Sequence, residues 1–254
     1  MHKLFVSVLL LLVASGAAAA TPAGTAAASQ PFWPVDGVFP GRGHVSSWKD
    51  FKAHNAQRRA LFATHQTEDR DSLVFVGDSI TEGWSTLSRD FADLHVKVVN
   101  RGIGGDTTPN LLYRLDSDVL AVRPRALVIL IGTNDLGEHT SPEDIAANLR
   151  ELRTRIRSAY ASIPIAWCLV MPRGGGDRFP ERVRQLNVLI RDVVRGDDGI
   201  VICDTYTPFA QPDGTSIPEY FKPDRLHLNA KGYAVWRRVL APILASWNLA
   251  AEKN

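Results

Sequence analysis

Four polar clusters carry the residue types that acyl transfer needs. Val74-Phe75-Val76 leads into Gly77-Asp78-Ser79-Ile80-Thr81-Glu82-Gly83-Trp84, and Val98-Val99 leads into Asn100-Arg101-Gly102-Ile103-Gly104-Gly105-Asp106. Leu127-Val128-Ile129-Leu130-Ile131 leads into Gly132-Thr133-Asn134-Asp135, and Asp224-Arg225-Leu226-His227 stands before the last amphipathic stretch. The chemistry requires a nucleophile, a base within hydrogen-bond reach, a group that orients the base, and donors for the oxyanion. Ser79, on a glycine-flanked turn after an apolar run, can present its hydroxyl to solvent. His227 can take its proton, and Asp224 can bond the other ring nitrogen and fix the tautomer. Gly105 offers a backbone N–H that substrate can approach closely because no Cβ intervenes. Asn134 offers side-chain amide donors.

Each cluster alone also has a plain structural reading. Gly-Asp-Ser suits turns, Gly104-Gly105-Asp106 can be a tight turn before a helix, and Asn134-Asp135 can be an N-cap pair. Asp224–His227 can be a loop hydrogen bond. The joint occurrence of all four in one chain weighs for chemistry. His44, His65, His95 and His139 are read as surface or loop residues without a role.

The elements that must position these residues follow from hydrophobic pattern. Segments 73–76, 96–99, 126–131, 165–171 and 200–203 are apolar apart from Lys97, as strands covered on both faces should be. A helical pattern runs over 48–67. Ser141-Pro142-Glu143-Asp144 supplies an N-cap, an N1 proline and first-turn acids. Ile145, Leu149, Leu152, Ile156 and Tyr160 then share one helical face. The last helix carries Tyr233, Trp236, Leu240, Ile243 and Trp247, with Pro242 expected to kink it. Strands alternating with helices imply a parallel sheet with helices on both sides, which places ligands at the carboxyl ends of its strands. Three of the four clusters sit at such ends.

The whole chain has 254 residues, 45% hydrophobic and 22% charged, with 29 Lys plus Arg against 27 Asp plus Glu and a formal charge of +2. That is globular composition, and without a basic stripe interleaved with aromatics it argues against a nucleic-acid partner. Residues 1–20 have the layout of a signal peptide: Lys3, an apolar run, then Ala18-Ala19-Ala20. The run is too short for a membrane span, so the expectation is a soluble exported protein, periplasmic or secreted, cleaved between Ala20 and Thr21. Residues 21–45 read as a linker and irregular arm, and 46–254 as a single domain. Two cysteines cannot build a disulfide-dense scaffold. Cys168 and Cys203 fall in apolar runs, so they are either a disulfide or two buried free thiols.

The clusters resemble the four blocks of the SGNH hydrolases, the GDSL esterase/lipase family, over about residues 73–247. Gly77-Asp78-Ser79-Ile80 matches the first block, with isoleucine in place of the usual leucine. Gly105 matches the second, Gly132-Thr133-Asn134-Asp135 the third and Asp224-Arg225-Leu226-His227 the last. The run from Asn100 to Leu115 and Met171-Pro172-Arg173-Gly174 look most like the platelet-activating-factor acetylhydrolase-like branch. The resemblance implies a flavodoxin-like three-layer α/β/α sandwich with a five-stranded parallel sheet. It implies Ser79 as nucleophile, His227 as base and Asp224 as its orienting group. The oxyanion hole it implies is made by the Ser79 and Gly105 N–H groups and the Asn134 side chain, with no metal or organic cofactor. Arg225 is a departure, because a small residue is common there.

The substrate reading is coarser. Trp84, Arg173, Tyr220 and Phe221 are candidate substrate contacts, although aromatics here can equally pack loops onto the domain. No long apolar segment suggests a lid or acyl tunnel, so a short acyl group, acetyl by preference, on a small-molecule or carbohydrate ester is the leading expectation. A lipid-directed esterase, such as a lysophospholipase or thioesterase, is the alternative within the class. A two-metal phosphoesterase built on Asp78, Asp106, Asp135, Asp224 and His227 lacks the several histidine ligands such sites use. A catalytically inactive acyl-glycan-binding module is the non-enzyme alternative, disfavoured because every position the chemistry requires is filled.

Overall fold

The computed structural model describes residues 31–249 except 175 and 177. The expected signal peptide and the linker to residue 30 lie outside that range. Five strands, β1 (Leu73–Gly77), β2 (Val98–Gly102), β3 (Ala126–Leu130), β4 (Ile165–Cys168) and β5 (Ile200–Cys203), form one sheet in the order β2-β1-β3-β4-β5. All four pairings are parallel. The helices are α1 (Phe51–Thr64), α2 (Ser79–Glu82), α3 (Leu87–Asp90), α4 (Thr108–Arg114), α5 (Thr133–Gly137), α6 (Pro142–Ala159), α7 (Arg178–Val194) and α8 (Ala230–Ala245).

Strand side chains alternate between two cores, which makes the three layers. Val74, Val76, Leu127, Ile129, Ile165 and Trp167 pack with Leu111 and Leu112 of α4, Ile145 and Leu149 of α6, and Val183 and Leu186 of α7. Leu73, Phe75, Val128, Leu130, Ala166 and Cys168 pack on the other face with Ile80, Leu87, Trp236 and Leu240. Burial on both faces is why the strands read as continuous apolar runs. At the start of α6, the Ser141 hydroxyl accepts from the Asp144 N–H at 3.1 Å, the cap expected from the sequence.

Several element boundaries differ from the sequence reading. The strand expected at 96–99 is displaced to Val98–Gly102, taking in two polar residues. Their side chains find partners from distant segments: Asn100 donates to the Thr81 carbonyl at 2.7 Å, and buried Arg101 pairs with Asp69 at 2.7 Å. The run 165–171 is strand only to Cys168, although Leu169, Val170 and Met171 are equally buried. α8 holds Pro242 inside it and ends at Ala245, short of the Trp247 expected on it. Cys168 and Cys203 are register partners on β4 and β5, and both are buried free thiols rather than a disulfide.

The arm from residue 31 to the start of α1 has no regular structure but is pinned to the domain. Arg42 N–H donates to Asn148 Oδ1 and Asn148 Nδ2 returns a bond to the Arg42 carbonyl, each at 2.8 Å. The Ser47 N–H and hydroxyl both donate to Glu138 Oε1 at 2.8 Å. Trp33 stands edge-on to Phe39 at 4.8 Å.

Candidate active site

Because β1 pairs with both β2 and β3, the segments after these three strands emerge side by side. They carry Ser79, Gly105 and Asn134. Gly77 closes β1 against β3: a Cβ there would stand 2.2 Å from the Leu130 carbonyl oxygen. Asp78 then caps α2, accepting the Ile80 N–H at 2.9 Å, and this sharp strand-to-helix turn sets Ser79 half-exposed at the helix start.

The loop before α8 brings the other two side chains to it. His227 Nε2 lies 2.8 Å from Ser79 Oγ, and His227 Nδ1 lies 2.7 Å from Asp224 Oδ2. Asp224 Oδ1 accepts the backbone N–H groups of Leu226 and His227, each at 3.0 Å. Desolvation would raise the Asp224 carboxyl, but these bonds from the His227 side chain and backbone outweigh it and hold the group at about 2. Arg225 adopts a left-handed φ of 58°, and its guanidinium reaches away to the Ser216 carbonyl at 3.2 Å. The large residue between aspartate and histidine therefore leaves their contact intact.

Gly105 has φ +83°, and a Cβ there would meet Phe51 Cδ2 at 2.8 Å. Glycine is needed on both counts. Asn134 follows Gly132, whose φ of +123° makes the turn from β3 into α5. Its Nδ2 donates to the Asp106 carbonyl at 2.9 Å, which joins the third segment to the second.

Beneath these segments lies a layer of buried charge. Arg114 pairs with Asp106 at 2.6 Å and also donates to the carbonyls of Gly77 at 3.2 Å and Arg101 at 2.9 Å, tying the ends of β1 and β2 together. Asp135 accepts the Thr108 N–H at 2.9 Å, and the Thr108 hydroxyl also accepts from Asn148 Nδ2 at 2.7 Å. Burial pushes Asp106 and Asp135 up to about 6, against the opposing pull of Arg114 and of Thr108 respectively. It pushes Asp78 up to about 7, opposed by the Ile80 N–H and helped by the neighbouring Asp106 and Asp135 carboxylates. Among the described residues no group of three or more His, Cys, Asp or Glu is placed to hold a metal ion.

Of the four residues read from the sequence as substrate contacts, Trp84 and Phe221 are buried in the core, whereas Tyr220 and Arg173 are half-buried. Trp84 is a core residue, 4.9 Å from the Trp236 ring, with its indole N–H on Asp90 at 2.8 Å. Phe221 is buried against Phe209. Both fill the layer between the sheet and α8, where large apolar rings lower the free energy by leaving water. Tyr220 is half-buried with its ring edge on Phe209. Arg173 donates to the Thr133 carbonyl at 2.6 Å and lies over the Phe179 ring at 4.3 Å, bracing the start of α5. No local pattern in the sequence marks Arg114, whereas Glu82 stands in the first cluster, three residues after Ser79.

A parallel five-stranded three-layer sandwich with this spacing of blocks defines the SGNH class of α/β hydrolases. Residues 75–235 match the model of the GDSL-like Lipase/Acylhydrolase family, and the chain belongs to that family, which makes it a carboxylic ester hydrolase. It is 30% identical over 191 residues to platelet-activating factor acetylhydrolase IB subunit alpha1 of Homo sapiens, covering 72% of this chain and 79% of that protein. Among solved structures it is similar to a GDSL-like lipase of Bacteroides thetaiotaomicron, with TM-score 0.64, 22% identity and coverage of 74% and 97% of the two chains. It is also similar to an acetylxylan esterase of Geobacillus stearothermophilus, with TM-score 0.56, 23% identity and coverage of 71% and 94%. No described helix is long and apolar enough to cross a membrane.

Proposed function

We propose that this chain is an exported serine esterase that removes short acyl groups, acetyl above all, from carbohydrate esters. The observation that carries the chemistry is the Ser79–His227–Asp224 relay, with contacts of 2.8 and 2.7 Å. With Asp224 ionised and accepting from Nδ1–H, the histidine presents an unprotonated Nε2 to the Ser79 hydroxyl. Ser79 Oγ attacks the ester carbonyl while His227 takes its proton. The oxyanion is held by the Ser79 and Gly105 N–H groups and by Asn134. His227 then protonates the leaving alcohol, and water activated by the same ring releases the acid.

Acetyl preference is supported by the names of the relatives, acetylhydrolases in sequence and an acetylxylan esterase in structure. The sugar is supported by the latter name and by the leader-like residues 1–20, which would bring the enzyme to extracellular polysaccharide. Platelet-activating factor, named for the sequence relatives, is the second reading. The test is hydrolysis of aryl esters from acetate to palmitate, with Ser79→Ala alongside, followed by acetylated xylo-oligosaccharides. Rapid acetate turnover lost in the variant supports the reading. Palmitate rates far above acetate rates would remove the short-acyl assignment, and unchanged turnover in the variant would remove Ser79.

A further inference from the structure

Glu82 sits on α2, three residues after Ser79, and its side chain is largely buried. Its Oε2 accepts the backbone N–H of Gly104, the residue before the proposed oxyanion donor Gly105. The same oxygen lies 2.9 Å from His54 Nε2, and Oε1 lies 3.3 Å from Arg58 Nε. His54 and Arg58 are one turn apart on α1, so they face the carboxylate together. Arg58 also donates to the Gly102 carbonyl at 3.0 Å. The space is close: a Cβ on Gly104 would stand 3.2 Å from Glu82 Oε2 and 3.3 Å from His54 Nε2. One carboxylate thus links the helix that carries the nucleophile to the loop that carries an oxyanion donor. α1, which precedes the family-matched residues 75–235, holds it from outside.

We infer that Glu82 is a positioning residue, which fixes the Gly105 N–H relative to Ser79 through its bond to Gly104. This rests on the proposed roles of Ser79 and Gly105. Oxyanion stabilisation needs donors already at hydrogen-bond distance from where the negative charge will appear. A loop released from α2 can still bind substrate but holds that donor loosely. What matters on this account is the reach of the Glu82 acceptor to Gly104, not its charge. Two variants separate these. Glu82→Gln keeps the length and an acceptor oxygen and loses the charge. Glu82→Asp keeps the charge, and so an attraction to Arg58 and His54, but is one methylene too short for Gly104.

The experiment measures kcat and KM on an aryl acetate for the full chain and for Glu82→Gln, Glu82→Asp, Glu82→Ala and Ser79→Ala, with a melting curve for each. Glu82→Gln is expected to stay within roughly tenfold of the parent in kcat. Glu82→Asp and Glu82→Ala are expected to lose on the order of 10²-fold, the scale of one oxyanion donor, with KM within about threefold. A kcat for Glu82→Asp equal to or above that of Glu82→Gln overturns the inference and assigns the residue a charge-pairing role. Losses that follow the melting temperatures, or that appear in KM, overturn it as well. If Glu82→Asp does not fold, Glu82→Ala against Glu82→Gln decides on the same criterion. Parent-like turnover in Ser79→Ala is a different failure, that of the nucleophile assignment itself.

Discussion

Asn134 donates through Nδ2 to the backbone carbonyl of Asp106 at 2.9 Å, so the residue proposed to hold the oxyanion is itself held by the loop that carries Gly105. A primary amide has two N–H bonds, and fixing one fixes the plane and direction of the other. In the proposed role, the bond would make a half-exposed side chain a preorganised donor, which is what makes such donors effective without reorganisation during reaction.

Asn134→Ala removes that donor while leaving Gly132, Thr133 and the buried Asp135 in place. It is expected to fold, to retain KM within a few-fold and to lose about 10²–10³ in kcat, the range found when one oxyanion donor is deleted. Steady-state kinetics on an aryl acetate checks this. A kcat near that of the parent would take Asn134 out of the oxyanion hole.

The site was more legible than its surroundings because block motifs are short and local. Ser79, Asp224 and His227 could be picked out because a turn after a strand and an aspartate three before a histidine leave a mark in sequence. The sheet was legible because two-sided burial leaves apolar runs, but its edges were not. At β2 the chain continues as strand through Asn100 and Arg101 because Thr81 and Asp69 accept their donors, partners 19 and 32 residues away. Trp84 and Phe221 looked like site residues because they neighbour the motifs along the chain. Side chains near in sequence point into different layers, and only the packing of α8 on the sheet shows that these two face inward. The arm reads as irregular from sequence, and nothing local to it announces that Asn148 and Glu138 anchor it.

Gly105 carries two separate demands, and they can be tested together. At φ +83° a Cβ costs about 1–2 kcal/mol in backbone strain alone, and here it would also press on the Phe51 ring at 2.8 Å. Gly105→Ala is expected to shift the loop, lowering kcat by about 10²-fold through the displaced N–H. Gly37→Ala is the control. Gly37 has a similar φ of +73° with nothing within 4 Å of the added methyl, and it lies in the arm. It should lose stability by a similar strain term, on the order of 1 kcal/mol, with kcat unchanged. Equal kinetic losses in the two variants would mean that backbone strain, not placement of the oxyanion donor, explains the effect.

Asp78 makes the stability of the fold depend on pH in a direction opposite to that of a salt-bridged carboxylate. Burial, with Asp106 and Asp135 nearby, raises it from its ordinary 3.8 to about 7, and its Oδ2 has no hydrogen-bond partner. Between about pH 4 and pH 7 the folded chain therefore holds a proton that the unfolded chain has released. The associated stability is fully present below the unfolded value and is lost as pH rises through about 7. Asp106 and Asp135, raised to about 6, act in the same direction over a narrower window. Asp78→Asn keeps an oxygen for the Ile80 N–H and removes the titration. Relative to the parent, its melting temperature is expected to improve on going from pH 5 to pH 8, by several degrees for a difference on the order of 2 kcal/mol. Melting curves of both proteins across that range decide it, and a constant offset between them would show that Asp78 is ionised in the folded state throughout.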